Sequence, residues 1–155
     1  MKDDSSVDFE PRFGSKALDK IVTRLKSTSD PRRRYEYVLW LAKALPPMSD
    51  ELRIDAFKVN GCISTVHVVG ELVDGRLLWH GDSDALITRG LLALLIKGLT
   101  NLTPEEVMGI DPSFISETGL QGSLTPSRAN GFLNIFRNMQ GQSKRLGKGI
   151  LTSSS

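Results

Sequence analysis

Val59-Asn60-Gly61-Cys62-Ile63-Ser64-Thr65-Val66 holds the only cysteine of the chain, at the point where a loop passes into a strand. Asn60 and Gly61 tolerate positive φ and mark a turn, whereas the apolar and β-branched run from Ile63 to Val69 reads as a strand. A thiol in mid-strand is a small core hydrophobe, but one at the glycine-flanked mouth of a strand can be reached by another molecule. The second placement fits here, so any chemistry is sought first at Cys62.

Working outward, two alternating runs, Ser64 to Leu72 and Arg76 to His80, flank Val73-Asp74-Gly75. Asp-Gly suits a type I′ turn, in which both central residues need positive φ, and a β-hairpin is predicted. Val66, Val68 and Gly70 form one apolar face, and His67, Val69 and Glu71 a mixed one. Two strands alone are marginal, so a third is expected from residues 52 to 59. Gly81-Asp82-Ser83-Asp84 then ends the hairpin, with Asp82 and Asp84 read as turn and N-cap residues. They open a long helix from Ala85 to about Leu99, apolar on more than one side and therefore central, packed on the sheet.

Before the cysteine loop, Leu18, Ile21, Val22 and Leu25 recur at helical spacing after Ser15. Asp30-Pro31 caps a second helix, with Tyr35, Val38, Leu39, Ala42 and Leu45 on its inner face and Pro46-Pro47 as its stop. Beyond the central helix, Thr103-Pro104-Glu105-Glu106 and Asp111-Pro112 open short helices, and Thr125-Pro126 opens a last one from Ala129 to about Gln140. Residues 1–14 read as a mobile acidic arm, 15–141 as one domain and 142–155, rich in Gly, Lys and Ser, as a frayed, flexible tail.

At 155 residues, 39% hydrophobic and 25% charged, the chain suits a single globular domain, and its longest apolar run, Leu91 to Ile96, is far too short to span a bilayer. A net charge of +2 is not the field of a dedicated nucleic-acid binder, and Arg32, Arg33, Arg34, Lys144, Arg145 and Lys148 read as solvated helix faces. The lone cysteine excludes an internal disulfide and fits a reducing compartment. Met1 to Glu10 lacks both the apolar centre of a secretory signal and the arginine-rich, acid-poor character of a transit peptide.

Three separated stretches together resemble the SufE family of sulfur-acceptor proteins: the cysteine stretch, Gly81-Asp82-Ser83-Asp84-Ala85, and Leu124-Thr125-Pro126-Ser127-Arg128-Ala129-Asn130-Gly131. The resemblance implies an α+β fold related to the IscU and NifU scaffold domains, with helices on one side of a small antiparallel sheet. It also implies that Cys62 accepts persulfide sulfur from a pyridoxal-phosphate-dependent cysteine desulfurase, stimulates that enzyme and passes the sulfur to a SufBCD-like cluster-assembly scaffold. Gly61, Asp82, Asp84 and Arg128 match family positions around the acceptor, while Thr65 and His67 depart from the commoner glutamine and tryptophan. No cofactor or metal of the chain's own is implied, and the family's compartments would be the cytoplasm or the plastid stroma. The chain could be a monomer or a homodimer.

Persulfide exchange needs a reachable thiolate, which a nearby cation would favour. Arg128 and Lys58 are the candidates, Arg128 acting on the thiolate or by ordering the loop. Because a persulfide is easily reduced, Cys62 is expected to be sheltered against apolar residues until the desulfurase docks. His67 and His80 read as strand residues. Two readings of other classes remain: a non-catalytic adaptor in which Cys62 only packs, and a cysteine hydrolase or acyltransferase using His67 or His80 with Asp82 or Asp84. In the latter only His80 could return across the hairpin. A scaffold that itself binds the cluster would need more thiolate ligands than one cysteine supplies.

Overall fold

The computed structural model describes residues 12–154. Helices α1 (Lys16–Ser27) and α2 (Pro31–Ala44) precede the hairpin of β1 (Val66–Val73) and β2 (Arg76–Ser83), after which come α3 (Leu86–Leu99), α4 (Pro104–Met108), α5 (Ser113–Glu117) and α6 (Pro126–Ser154). The fold is α+β, with the two-stranded sheet laid on α3 and α6.

The turn chemistry is as the sequence predicts. Asp74 has φ 53° and Gly75 φ 79°, and Val73 pairs with Arg76 across them. Along the register, Val66, Val68, Gly70, Leu77, Trp79 and Gly81 face inward. Gly70 is required there, because a Cβ would lie 2.7 Å from the Trp79 ring stacked over it. Helix α3 is the centre, with ten of its residues buried, and α2 approaches so closely that a Cβ on Gly90 would strike the Val38 carbonyl. Ser15 caps α1 by accepting from Leu18 N–H and donates its hydroxyl to Gly98 O at 2.6 Å, so one side chain ends α3 and starts α1. Each large aliphatic side chain closed off in this way stabilises the fold by about 1.5–3 kcal/mol before entropy is counted.

Residues 52–59 do not form the expected third strand. They make 3₁₀ turns at Asp50–Leu52 and Asp55–Phe57 and pair with β1 only through a single bridge from Lys58 to His67. The free edge of β1 is instead met by α6, where the Gln142 amide donates to Val68 O and accepts from Gly70 N–H, both at 2.9 Å, as a neighbouring strand would.

The same contact corrects the expected tail. Helix α6 runs past Gln140 to Ser154 because residues beyond Gly141 have tertiary partners: Gln142 on β1, Ser143 fully buried, and Gly147 against Pro104. Those contacts outweigh the low helix propensity of Gly141 and Gly147. At the other end, Phe13 packs against Phe114 and its N–H bonds Asp19, so the domain starts before residue 15. The rest of the predicted arm, residues 1–11, lies outside the described residues.

Two smaller corrections concern α2. Its buried face is Val38, Leu41 and Ala42, while Tyr35 turns outward. Arg34 is no solvated residue: its guanidinium donates to Leu25 O at the end of α1 and to Gly119 O, tying α2 to both segments.

Candidate functional site

Cys62 sits in a loop pinched at its base. Val59 N–H donates to Val66 O at 2.8 Å, Thr65 N–H donates to Asp84 Oδ1 at 3.0 Å, and Asp84 N–H returns a bond to Thr65 O at 3.2 Å. Within the loop Gly61 has φ +83°, where a side chain would be strained.

One face of α6 holds the loop. Arg128, Gly131 and Asn134 stand three residues apart, which places them on successive turns of the same helical face. Asn134 donates Nδ2–H to Gly61 O at 2.8 Å. Gly131 leaves room for the Cys62 Sγ, which lies 3.8 Å from the Gly131 carbonyl in a weak S–H contact. A Cβ on Gly131 would sit 3.7 Å from that sulfur. Arg128 donates to Ser64 Oγ and to Thr88 Oγ1, each at 2.5 Å. Three contacts therefore fasten residues 61, 62 and 64 to α6, running antiparallel to residues 134, 131 and 128.

Cys62 is half-buried and packs against the core, while its neighbour Ile63 is 73% exposed. Burial pushes the Cys62 thiol above its ordinary range, and no charged group offsets that effect. The expectation that Arg128 or Lys58 steadies the thiolate does not match this geometry. Arg128 is engaged by two hydroxyls, and Lys58 faces Asp55 at 3.9 Å. The ordering role of Arg128 is the one its contacts support.

Asp82 and Asp84 are not the turn and N-cap of α3. Asp82 lies in β2, opposite His67, and pairs with Arg53 at 2.7 Å and Arg89 at 3.5 Å. The N-cap is Ala85, without a side-chain bond. Asp84 serves the cysteine loop through Thr65, because β2 continues to Ser83, which carries Asp82 into the sheet and leaves Asp84 just past its end. His80 bonds Glu71 Oε1 at 2.8 Å on the outward face, so among the described residues no histidine is hydrogen-bonded to Cys62 and the hydrolase arrangement is not assembled. Asn134, Ser64 and Thr88 had no sequence signal of their own. The only hint was that Gly131 and Asn134 follow Arg128 at helical spacing, opposite the apolar Phe132, Ile135, Phe136 and Met139.

A single half-buried cysteine on a loop held by one helix face sits in a domain of the α+β class. The family model described as the Fe-S metabolism associated domain, SufE, matches residues 19–143, and the chain belongs to the SufE family. An uncharacterised SufE-like protein of Synechocystis is 54% identical over 123 residues, covering 79% of this chain and 77% of that protein. A cysteine desulfuration protein SufE of Plasmodium vivax is 40% identical over 116 residues, covering 72% of this chain and 46% of that longer protein. In three dimensions the chain is similar to a hypothetical protein of Thermus thermophilus solved in solution, with a TM-score of 0.76 over 86% of this chain and 98% of the other, at 22% identity. That last likeness concerns the fold. Among the described residues no helix is long and apolar enough to cross a membrane.

Proposed function

We propose that Cys62 is a sulfur acceptor, taking the terminal sulfur of a cysteine-desulfurase persulfide and carrying it to iron–sulfur cluster assembly. The Cys62 thiolate attacks the outer sulfur, a new S–S bond forms, the donor's S–S bond breaks, and the donor cysteine leaves as a thiolate. The step is redox-neutral and needs no cofactor in this chain. The carrying observation is the loop itself: a thiol whose burial disfavours the thiolate, held by contacts that docking can exchange.

Shelter suits a carrier. A persulfide held against apolar side chains is screened from small thiols, and opening the loop both exposes it and restores ordinary thiol acidity. Arg128, Gly61 and Asp84 act on the chemistry through the loop, Asp82 through the neighbouring sheet end. The exposed Ile63 and Leu86 stand ready as apolar contacts for the desulfurase. The downstream partner on this reading is a SufBCD-like scaffold complex, in the cytoplasm or the plastid stroma.

Intact mass after incubation with a cysteine desulfurase and cysteine, without reductant, tests the proposal. The expected result is a gain of one or a few sulfurs that a thiol reverses and that Cys62→Ser lacks. If the desulfurase carries persulfide while the wild-type chain gains nothing, the acceptor role fails and an adaptor role replaces it.

A further inference from the structure

The helical side of the molecule carries a groove of about 740 Å³ that the sulfur chemistry does not use. Lys16, Lys20 and Arg24 line one wall, four residues apart along α1 and so on one face, and Lys97 of α3 adds a fourth cation. Tyr37 and Trp40 of α2 form the other wall, their rings stacked at 5.8 Å and 17°, with the Arg24 guanidinium 4.8 Å above the Tyr37 ring. Trp40 is 56% exposed.

Among the described residues no carboxylate lines this groove, and none of the four cations enters an ion pair. With a net charge of only +2 over the chain, such segregation does not follow from composition. Like charges at four-residue spacing repel, and an open indole leaves apolar surface in water, so the groove holds two unfavourable features that one ligand can relieve.

We propose that the groove docks an acidic peptide segment of a partner protein, its carboxylates on Lys16, Lys20 and Lys97 and an apolar or aromatic side chain on Trp40. Lys16 to Arg24 spans about 12 Å of helix, a length matched by about four residues of extended peptide and not by a single small anion. Lys97 lies about 14 Å along α3 from Thr88, the residue that Arg128 holds beside the cysteine loop. A partner bound there leaves Cys62 free, so the chain can keep one protein docked while it meets another. This second surface goes beyond the acceptor reading and is tested without sulfur transfer.

The probe is a fluorescein-labelled octapeptide alternating aspartate and phenylalanine, titrated into the full chain and followed by anisotropy. In parallel, the two tryptophan indole N–H resonances are followed, buried Trp79 serving as the internal reference. Saturable binding that weakens about tenfold from low to high salt is expected, with the Trp40 resonance moving and the Trp79 resonance still. Lys16→Glu with Lys20→Glu, and separately Trp40→Ala, should each weaken binding about tenfold, while melting and Cys62 alkylation stay unchanged. Equal binding of a peptide with lysine in place of aspartate overturns the proposal. So does displacement by an oligothymidylate at far lower concentration, or a concentration-dependent dimer that buries Trp40. Binding seen only after removal of residues 1–11 would assign the groove to this chain's own acidic segment, and the partner proposal would then fail.

Discussion

Asn134 donates its side-chain amide to Gly61 O at 2.8 Å across 73 residues of chain, so helix α6 holds the peptide unit that immediately precedes Cys62. Breaking that bond removes about 1 kcal/mol from the closed loop, a factor of about five in its opening. Asn134→Ala should therefore raise the rate of Cys62 alkylation about fivefold in the free protein, with the melting temperature little changed. Iodoacetamide kinetics at neutral pH measure this, and an unaltered rate would mean that the contact does not restrain the loop.

Gly61 adopts φ +83°, and a Cβ there would come within 2.7 Å of Asn134 Nδ2. Gly61→Ala should cost about 1–2 kcal/mol from the backbone alone. The clash adds to that cost only while Asn134 is present, so the substitution should be milder in an Asn134→Ala background. A double-mutant cycle by urea unfolding reads the coupling. Equal costs in both backgrounds would show that the two residues act independently.

Burial raises the Cys62 thiol above its unfolded value. Between the two values the native state holds the proton that the unfolded chain has lost, so stability falls as pH rises through that window and is fully retained below the unfolded value. Unfolding midpoints measured from neutral to alkaline pH should decline more steeply for the wild type than for Cys62→Ala. The alkylation profile should also inflect at higher pH in the folded protein than in urea. Coincident profiles would show that the thiol is not desolvated.

Arg128 Nη1 donates to Ser64 Oγ and to Thr88 Oγ1 at once, tying the cysteine loop to α3 and α6. Arg128→Ala should speed alkylation at every pH by loosening the loop, leaving the inflection where it was. An inflection that moves upward in Arg128→Ala would restore the electrostatic role instead.

Much of the fold is legible in local pattern. Leu18, Ile21, Val22 and Leu25 name the buried face of α1 because a helix repeats every 3.6 residues. Asp74-Gly75 sets the hairpin register because few residues accept positive φ. On α2 the same reasoning chose Tyr35 over Leu41, since Tyr is amphipathic and its phase is settled only by what packs against it. Asp82 and Asp84 read as turn and N-cap residues because acidic residues before an apolar run usually are. Their real partners, Arg53, Arg89 and the Thr65 N–H, lie on other segments.

The sequence by itself determined the helices, the hairpin and the position of a single thiol at a loop–strand boundary, all of them properties of neighbouring residues whose spacing and backbone preferences act locally. Tertiary structure alone decided that α6 lines up Arg128, Gly131 and Asn134 under the cysteine loop and that Gln142 takes the place of a third strand. It also decided that Lys97 joins the α1 cations beside Trp40. Those pairings depend on which faces meet when separate elements pack, and each depends on side-chain geometry between residues far apart in the chain, for which no local period exists.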